Sequence, residues 1–256
     1  MTIVFRNTTM LIGIVLAFCV TLSMGIIVFV LMPGFLNNTL ILQTLNILFL
    51  SLFSFVSSLL FRITFSKTLA PELFFFTIFI LTFSFEAFRL LFLYFDLQSS
   101  PFIIGIIITR IVHFGRFLRV YSLFVAGLFA CSIANPKTGI YLGIGILLSL
   151  AYAIGIPVDA TEHTGSLLYQ SGIADYTRII FSIGKVVSII NFILAGILKN
   201  TREYYFMGIA FFITIGGSTI LVDYPQKLLL FGIGIPLLVT GTVLFGRRSH
   251  ELYLWT

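Results

Sequence analysis

Seven ionisable residues lie far from the ends of long apolar runs: Glu86, Arg89, Arg110, His113, Arg116, Arg119 and Lys185. Little chemistry is open to such groups. A charge in hydrocarbon is expensive, so it faces a protein interior, finds a partner or serves a ligand. Five of the seven are cations and Glu86 is the one deep carboxylate. That imbalance points to an anion, such as a phosphate-bearing lipid headgroup or a carboxylate solute, held by guanidinium forks and an ammonium. All seven residues are therefore expected to bind ligand.

Their mutual pairing follows from depth. Glu86 stands ten residues before Asp96, Arg110 nine after Pro101 and Lys185 ten after Asp175. At about 1.5 Å per residue the three share a level. Glu86 is expected to pair with Arg110, with Lys185 competing and Arg89 one turn away on the same helix face. Arg116 and Arg119 are expected to snorkel toward the opposite headgroups or to join an anion cavity.

Other chemistries fit less well. Arg110, His113, Arg116 and Arg119 recur at every third position, the spacing of a voltage-sensing helix. In an α-helix each such step drifts by about 60°, so the side chains spiral rather than align. A voltage sensor also needs acidic counter-charges on neighbouring helices; the second span has none, offering Gln43, Asn46 and several Ser, and only Glu86 is deep. Lys185 suggests a retinal Schiff base, but Ser182-Ile183-Gly184-Lys185 has no carboxylate one turn before the lysine, as microbial rhodopsins do. His113 is the one histidine within an apolar run, against the paired ligands of a membrane haem. Cys19 and Cys131 form no CxxC or Cys/His cluster, so no zinc or iron–sulfur site is expected. No nucleophile stands at a recognisable spacing from His113. No cofactor is assigned, and an enzyme acting on lipid ranks third among the functional readings.

The elements that position these groups follow from composition. Hydrophobic residues make up 59% of the 256, charged residues only 9%, and Phe alone contributes 30. A soluble domain is about a quarter charged, and one this apolar has too few polar groups to cover its surface. Runs long enough for a hydrocarbon core of about 30 Å fall at 10–32, 39–61, 72–95, 102–130, 139–156, 175–197, 204–222 and 228–246. They do not alternate as barrel strands would. The expected fold is all-α: one transmembrane domain over 1–256, a helix bundle of about eight spans. Residues 1–9 form a short tail, not a signal peptide, and no soluble domain is expected. Turn chemistry separates the runs at Pro33-Gly34, Asn37-Asn38, Ala70-Pro71, Ser99-Ser100-Pro101, Asn135-Pro136 and Tyr224-Pro225.

Orientation follows from lysine and arginine in short loops. Arg6, Arg62, Lys67, Lys137, Lys199, Arg202, Arg247 and Arg248 fall at alternate ends. Those ends and both termini are expected in the cytoplasm, the membrane being the inner membrane of a bacterium. Opposite lie Asp96, Asp159, Glu162, Asp175 and Asp223, against Arg178 and Lys227. The net charge of +6 thus reads as topology plus intramembrane cations, not as a nucleic-acid surface. The loop at 157–174 is expected to be solvated; Asp159, Glu162 and His163 match no metal motif. Gly139/Gly143, Gly216-Gly217 and the glycines of the last run suit close helix packing, with a backbone opening at Gly216-Gly217 as the sharper alternative.

Two functions compete. One is a carrier or channel for an anionic solute or lipid, with a cavity between spans three, four and six. The other is a receptor or assembly subunit acting through a separate membrane or cytoplasmic protein.

Overall fold

In lipid every backbone polar group must be satisfied within the chain, and long apolar segments meet that demand as helices. The computed structural model of the chain describes residues 3–31, 38–66, 68, 70–97, 102–132, 137–164 and 167–254. It contains α1 (Ile3–Leu31), α2 (Asn38–Thr64), α3 (Pro71–Leu81), a 3-10 segment (Thr82–Ala87), α4 (Phe88–Leu97) and α5 (Phe102–Ala130). There follow α6 (Thr138–Gly155), strands β1 (Val158–Thr164) and β2 (Leu168–Ser171), α7 (Ala174–Lys199), α8 (Arg202–Asp223) and α9 (Leu228–Leu254). The expected turns at Pro33-Gly34, Ser99-Ser100-Pro101 and Asn135-Pro136 lie outside the described residues.

Among the described residues, seven helical units are long and apolar enough to cross a membrane: α1, α2, the α3–α4 unit, α6, α7, α8 and α9. The fold is thus an all-α bundle of the kind a multi-pass membrane protein needs. The fourth expected span, α5, is long enough but carries Arg110, Arg116 and Arg119 and is not among the seven.

Both chain ends depart from expectation. Residues 3–9 are not a tail but the first turns of α1, and α9 continues to Leu254 rather than stopping at 246. Helical hydrogen bonding does not end where the apolar run ends if the polar turns find partners. Arg6 donates to the Ser66 carbonyl, and Arg248 bridges Glu203 and Glu251. Tyr204 and Tyr253 share a hydrogen bond of 3.0 Å. The starts of α1 and α8 and the ends of α2 and α9 thus gather at one end of the bundle, termed the terminal end.

At the other end the expected loop is an ordered β-hairpin. Pro157 disfavours helix at Ile156 and stops α6. Val158 then pairs with Ser171 in an antiparallel ladder, irregular between Asp159 and His163. Leu168 and Tyr169 are buried: the Tyr169 N–H donates to Thr109 Oγ1 at 3.3 Å, and its ring meets Phe92 edge-on at 5.0 Å. The hairpin therefore rests on α5 and α4. Asp159 is exposed, while the side chains of Glu162 and His163 lie outside the described residues.

The unexpected feature within the third span is the 3-10 segment. Thr82 and Ser84 donate to the carbonyls of Phe79 and Leu81, and Ser54 of α2 donates to Leu81 as well. Hydroxyls that bond i−3 carbonyls compete with the α-helical ladder, here at the level where the carboxylate sits.

Phenylalanines fill the interior toward the terminal end. The Phe76 ring packs at a tilt against Phe245, with centroids 3.9 Å apart, and against Phe211 at 5.4 Å, while Phe192 lies 4.4 Å from Phe211. Beside them α8 and α9 touch backbone to backbone. A Cβ on Gly217 would stand 2.5 Å from the Leu238 nitrogen and 2.9 Å from the Gly234 carbonyl oxygen. Gly217 therefore serves close packing, whereas Gly216 faces open space. Gly217→Leu is expected to lower stability by at least ~1–3 kcal/mol, the usual cost of overpacking. Gly216→Ala should change it little. Unfolding of the purified protein in mixed micelles measures both.

Candidate functional site

Glu86 is fully buried and accepts hydrogen bonds from three arginines. Arg116 approaches with both Nε and Nη2, each at 3.1 Å. Arg119 Nη2 lies 3.0 Å from Oε1, and Arg89 Nη1 lies 3.3 Å from Oε2. Arg119 also donates to the Thr82 hydroxyl at 3.3 Å and the Thr82 carbonyl at 3.4 Å, and its guanidinium stacks over Phe83 at 4.3 Å. The arrangement needs α5 to run very close to the 3-10 segment. Gly115 permits this, since a Cβ there would overlap the Cβ and ring of Phe85.

The depth argument for Glu86 was right about Arg89 and wrong about Arg110. Glu86 does form an ion pair with Arg89, but its other partners are Arg116 and Arg119. Two physical effects were missing. Helical side chains lean toward their own N-terminus. The third and fourth spans run in opposite directions, so Glu86 and the α5 arginines lean toward each other and meet about two turns from the level-matched position. Facing also matters. Arg110 is six residues from Arg116, which places it about 120° around the helix. It is half-buried, and its Nε has no hydrogen-bond partner among the described residues. The expectation that Arg116 and Arg119 snorkel is overturned, because both are turned inward onto Glu86. Lys185 does not pair with Glu86 either; its Nζ donates to Thr219 Oγ1 at 2.9 Å, linking α7 to α8.

Arg116, Arg119, His113 and Lys185 nonetheless share a surface. They line a cavity of about 610 Å³ between α5, α7 and α8, roofed by β2 and the α8–α9 connection. Arg178, Asp223 and Lys227 lie at its rim, all exposed. His113 is 8% exposed, and its Nδ1 has no partner among the described residues. Arg110 and Arg89 are not part of the lining, so of the seven residues expected to bind ligand four are brought together around this space. The sequence reasoning missed Thr82 and Thr219. A hydroxyl one turn before an intramembrane carboxylate was the available signal for Thr82. Arg178, Asp223 and Lys227 had been read for topology alone.

Cys131 donates to the Asn191 carbonyl and behaves as a small core residue. No group of three or more His, Cys, Asp or Glu with metal-site geometry occurs among the described residues. Comparison with family models, curated proteins and solved structures gives no match, so the function is argued from this geometry alone.

Removing one partner of a buried ion pair costs about 3–5 kcal/mol, because the other charge stays buried alone. Glu86→Gln is expected to lose at least that much in micelle unfolding, since it strands three guanidiniums. Arg110→Gln should lose far less. Equal losses would show that the Glu86 cluster does not bind the helices together.

Proposed function

We propose that this protein is a carrier for an anionic solute or lipid headgroup, with its binding site in the cavity between α5, α7 and α8. The single observation that supports this reading is the convergence of Arg116, Arg119 and Lys185 on one space that reaches the hairpin end of the bundle. Among the described residues its wall also carries His113 and, at the rim, Arg178, Asp223 and Lys227. In the proposed orientation the hairpin end faces outward and the termini face the cytoplasm, as the lysine and arginine bias argues.

The way through to the cytoplasm is filled. Phe192 lies seven residues beyond Lys185 on α7, and Phe211 lies seven before Ser218 on α8. At about 1.5 Å per residue that is some 10 Å below the cavity. Both rings are fully buried with Phe76 and Phe245. An outward-facing carrier has this form, and passage would require these rings to part. The same closed floor favours a second reading, a receptor that holds the anion and signals to a separate partner without passing it on. Uptake into proteoliposomes separates the two: a carrier moves the anion it binds, and a receptor binds it without flux.

Two measurements follow. In a background with Cys19→Ser and Cys131→Ala, a cysteine at Asp175 should label from outside intact cells and one at Arg202 should not. The reverse pattern would overturn the orientation. Lys185→Gln, which leaves the Glu86 cluster intact, should weaken anion binding at least tenfold, about 1.4 kcal/mol. Arg110→Gln should leave it unchanged. Unaltered affinity in Lys185→Gln would remove the cavity as the binding site.

A further inference from the structure

Resting on that reading, we infer that the cavity takes a ligand whose headgroup carries at least two negative charges, a phosphate monoester or a diphosphate, rather than a monocarboxylate or a halide.

The argument is a charge count at fixed geometry. Arg116 and Arg119 line the cavity and share Glu86, the only carboxylate within ion-pair distance of either among the described residues. Arginine keeps its proton in proteins. Glu86 offsets one of these two charges, so with a protonated Lys185 the inner wall carries two uncompensated positive charges. Asp223, the other carboxylate at this cavity, is exposed at the rim and makes no ion pair among the described residues. It shares the rim with Arg178 and Lys227, whose two positive charges exceed its one negative charge. A monoanion leaves the inner wall positive in a low-dielectric setting, where uncompensated charge is costly. A dianion neutralises it.

The hydrogen-bonding geometry agrees. Glu86 engages the Nε–Nη2 edge of Arg116, and Glu86 and Thr82 together engage the same edge of Arg119. The Nη1 of each has no protein partner among the described residues, although both side chains line the cavity. Those two N–H groups and the Lys185 ammonium provide donors from three side chains. A planar carboxylate has two oxygens to offer them. A phosphoryl group has at least three, arranged tetrahedrally, and Arg and Lys are its usual partners.

This chemistry arrives either as a free phosphate compound from water or as a phosphorylated lipid. The aqueous mouth lies at the hairpin end. The lateral route between α6 and α7 is crossed by an aromatic fence: Tyr152 packs on Phe117 at 5.0 Å and on Phe181 at 5.9 Å, and its hydroxyl donates to Thr177 at 3.2 Å. A lipid tail has to part that fence, whereas a free phosphate compound need not.

The test uses the purified full chain in nanodiscs of neutral lipid, with calorimetric titrations of sodium pyrophosphate, phosphate, acetate and chloride at constant ionic strength. Pyrophosphate or phosphate is expected to bind at least tenfold more tightly than acetate or chloride. Lys185→Gln should shrink that preference at least threefold. A lipid arm incorporates phosphatidic acid or phosphatidylglycerol, whose headgroups carry two charges and one, and reads the lipid retained after exchange into detergent. Selective retention of phosphatidic acid without binding of inorganic phosphates supports the inference and assigns the lipid source. In that case Tyr152→Ala should speed exchange of the retained lipid. Acetate or chloride binding as tightly as pyrophosphate would overturn the dianion class while leaving the anion cavity standing. No binding of any anion in either arm would overturn both.

Discussion

One buried carboxylate holding three guanidiniums is the constraint around which the upper half of this bundle is arranged. Glu86 joins α5 to the 3-10 segment by two side chains, and Arg89 closes the group from the same span. Taking four charged groups out of water is unfavourable unless each is hydrogen-bonded. The local departures from regular structure serve that requirement. The 3-10 turn exposes the Thr82 carbonyl and hydroxyl to Arg119, and Gly115 lets the two backbones approach. The cluster holds more cations than carboxylates, and in the proposed reading that residual charge draws an anion to the neighbouring cavity.

Below this layer the chemistry changes within a few residues. The cations give way to interlocked phenylalanine rings contributed by α3, α5, α7, α8 and α9. In the proposed reading the polar layer sets what the cavity attracts, and the aromatic layer sets how far a ligand penetrates. The α8–α9 pair is stiffened by its glycine contact at Gly217, while α7 and α8 are joined beside the cavity by the Lys185–Thr219 bond. In the carrier reading, any rearrangement that opens the terminal end acts on these contacts and on the rings between them.

The outer helices are built differently. α1 and α6 present long apolar faces, such as Leu11, Val15 and Phe18 on α1 and Ile140, Leu147 and Ile154 on α6. A face of this kind suits hydrocarbon and needs no partner protein. Cys19, exposed on α1, belongs to that surface and has no visible chemical task.

How much of this was legible in the sequence depends on the range of the physics involved. Helix number, the all-α class and the candidate charged residues follow from composition and run length, because the cost of exposing backbone and charge to lipid acts residue by residue. Six of the eight expected spans match described helices to within a few residues, and the first and last extend further because their polar turns find tertiary partners. Pairing was another matter. Equal counts from the span ends gave Glu86 and Arg110 a common level, but side-chain lean, helix facing and the approach allowed by Gly115 exist only once α5 is set against the third span. The phenylalanine floor and the β-hairpin were invisible for the same reason. Each depends on contacts between segments distant in the chain, and no local pattern encodes which segments will meet.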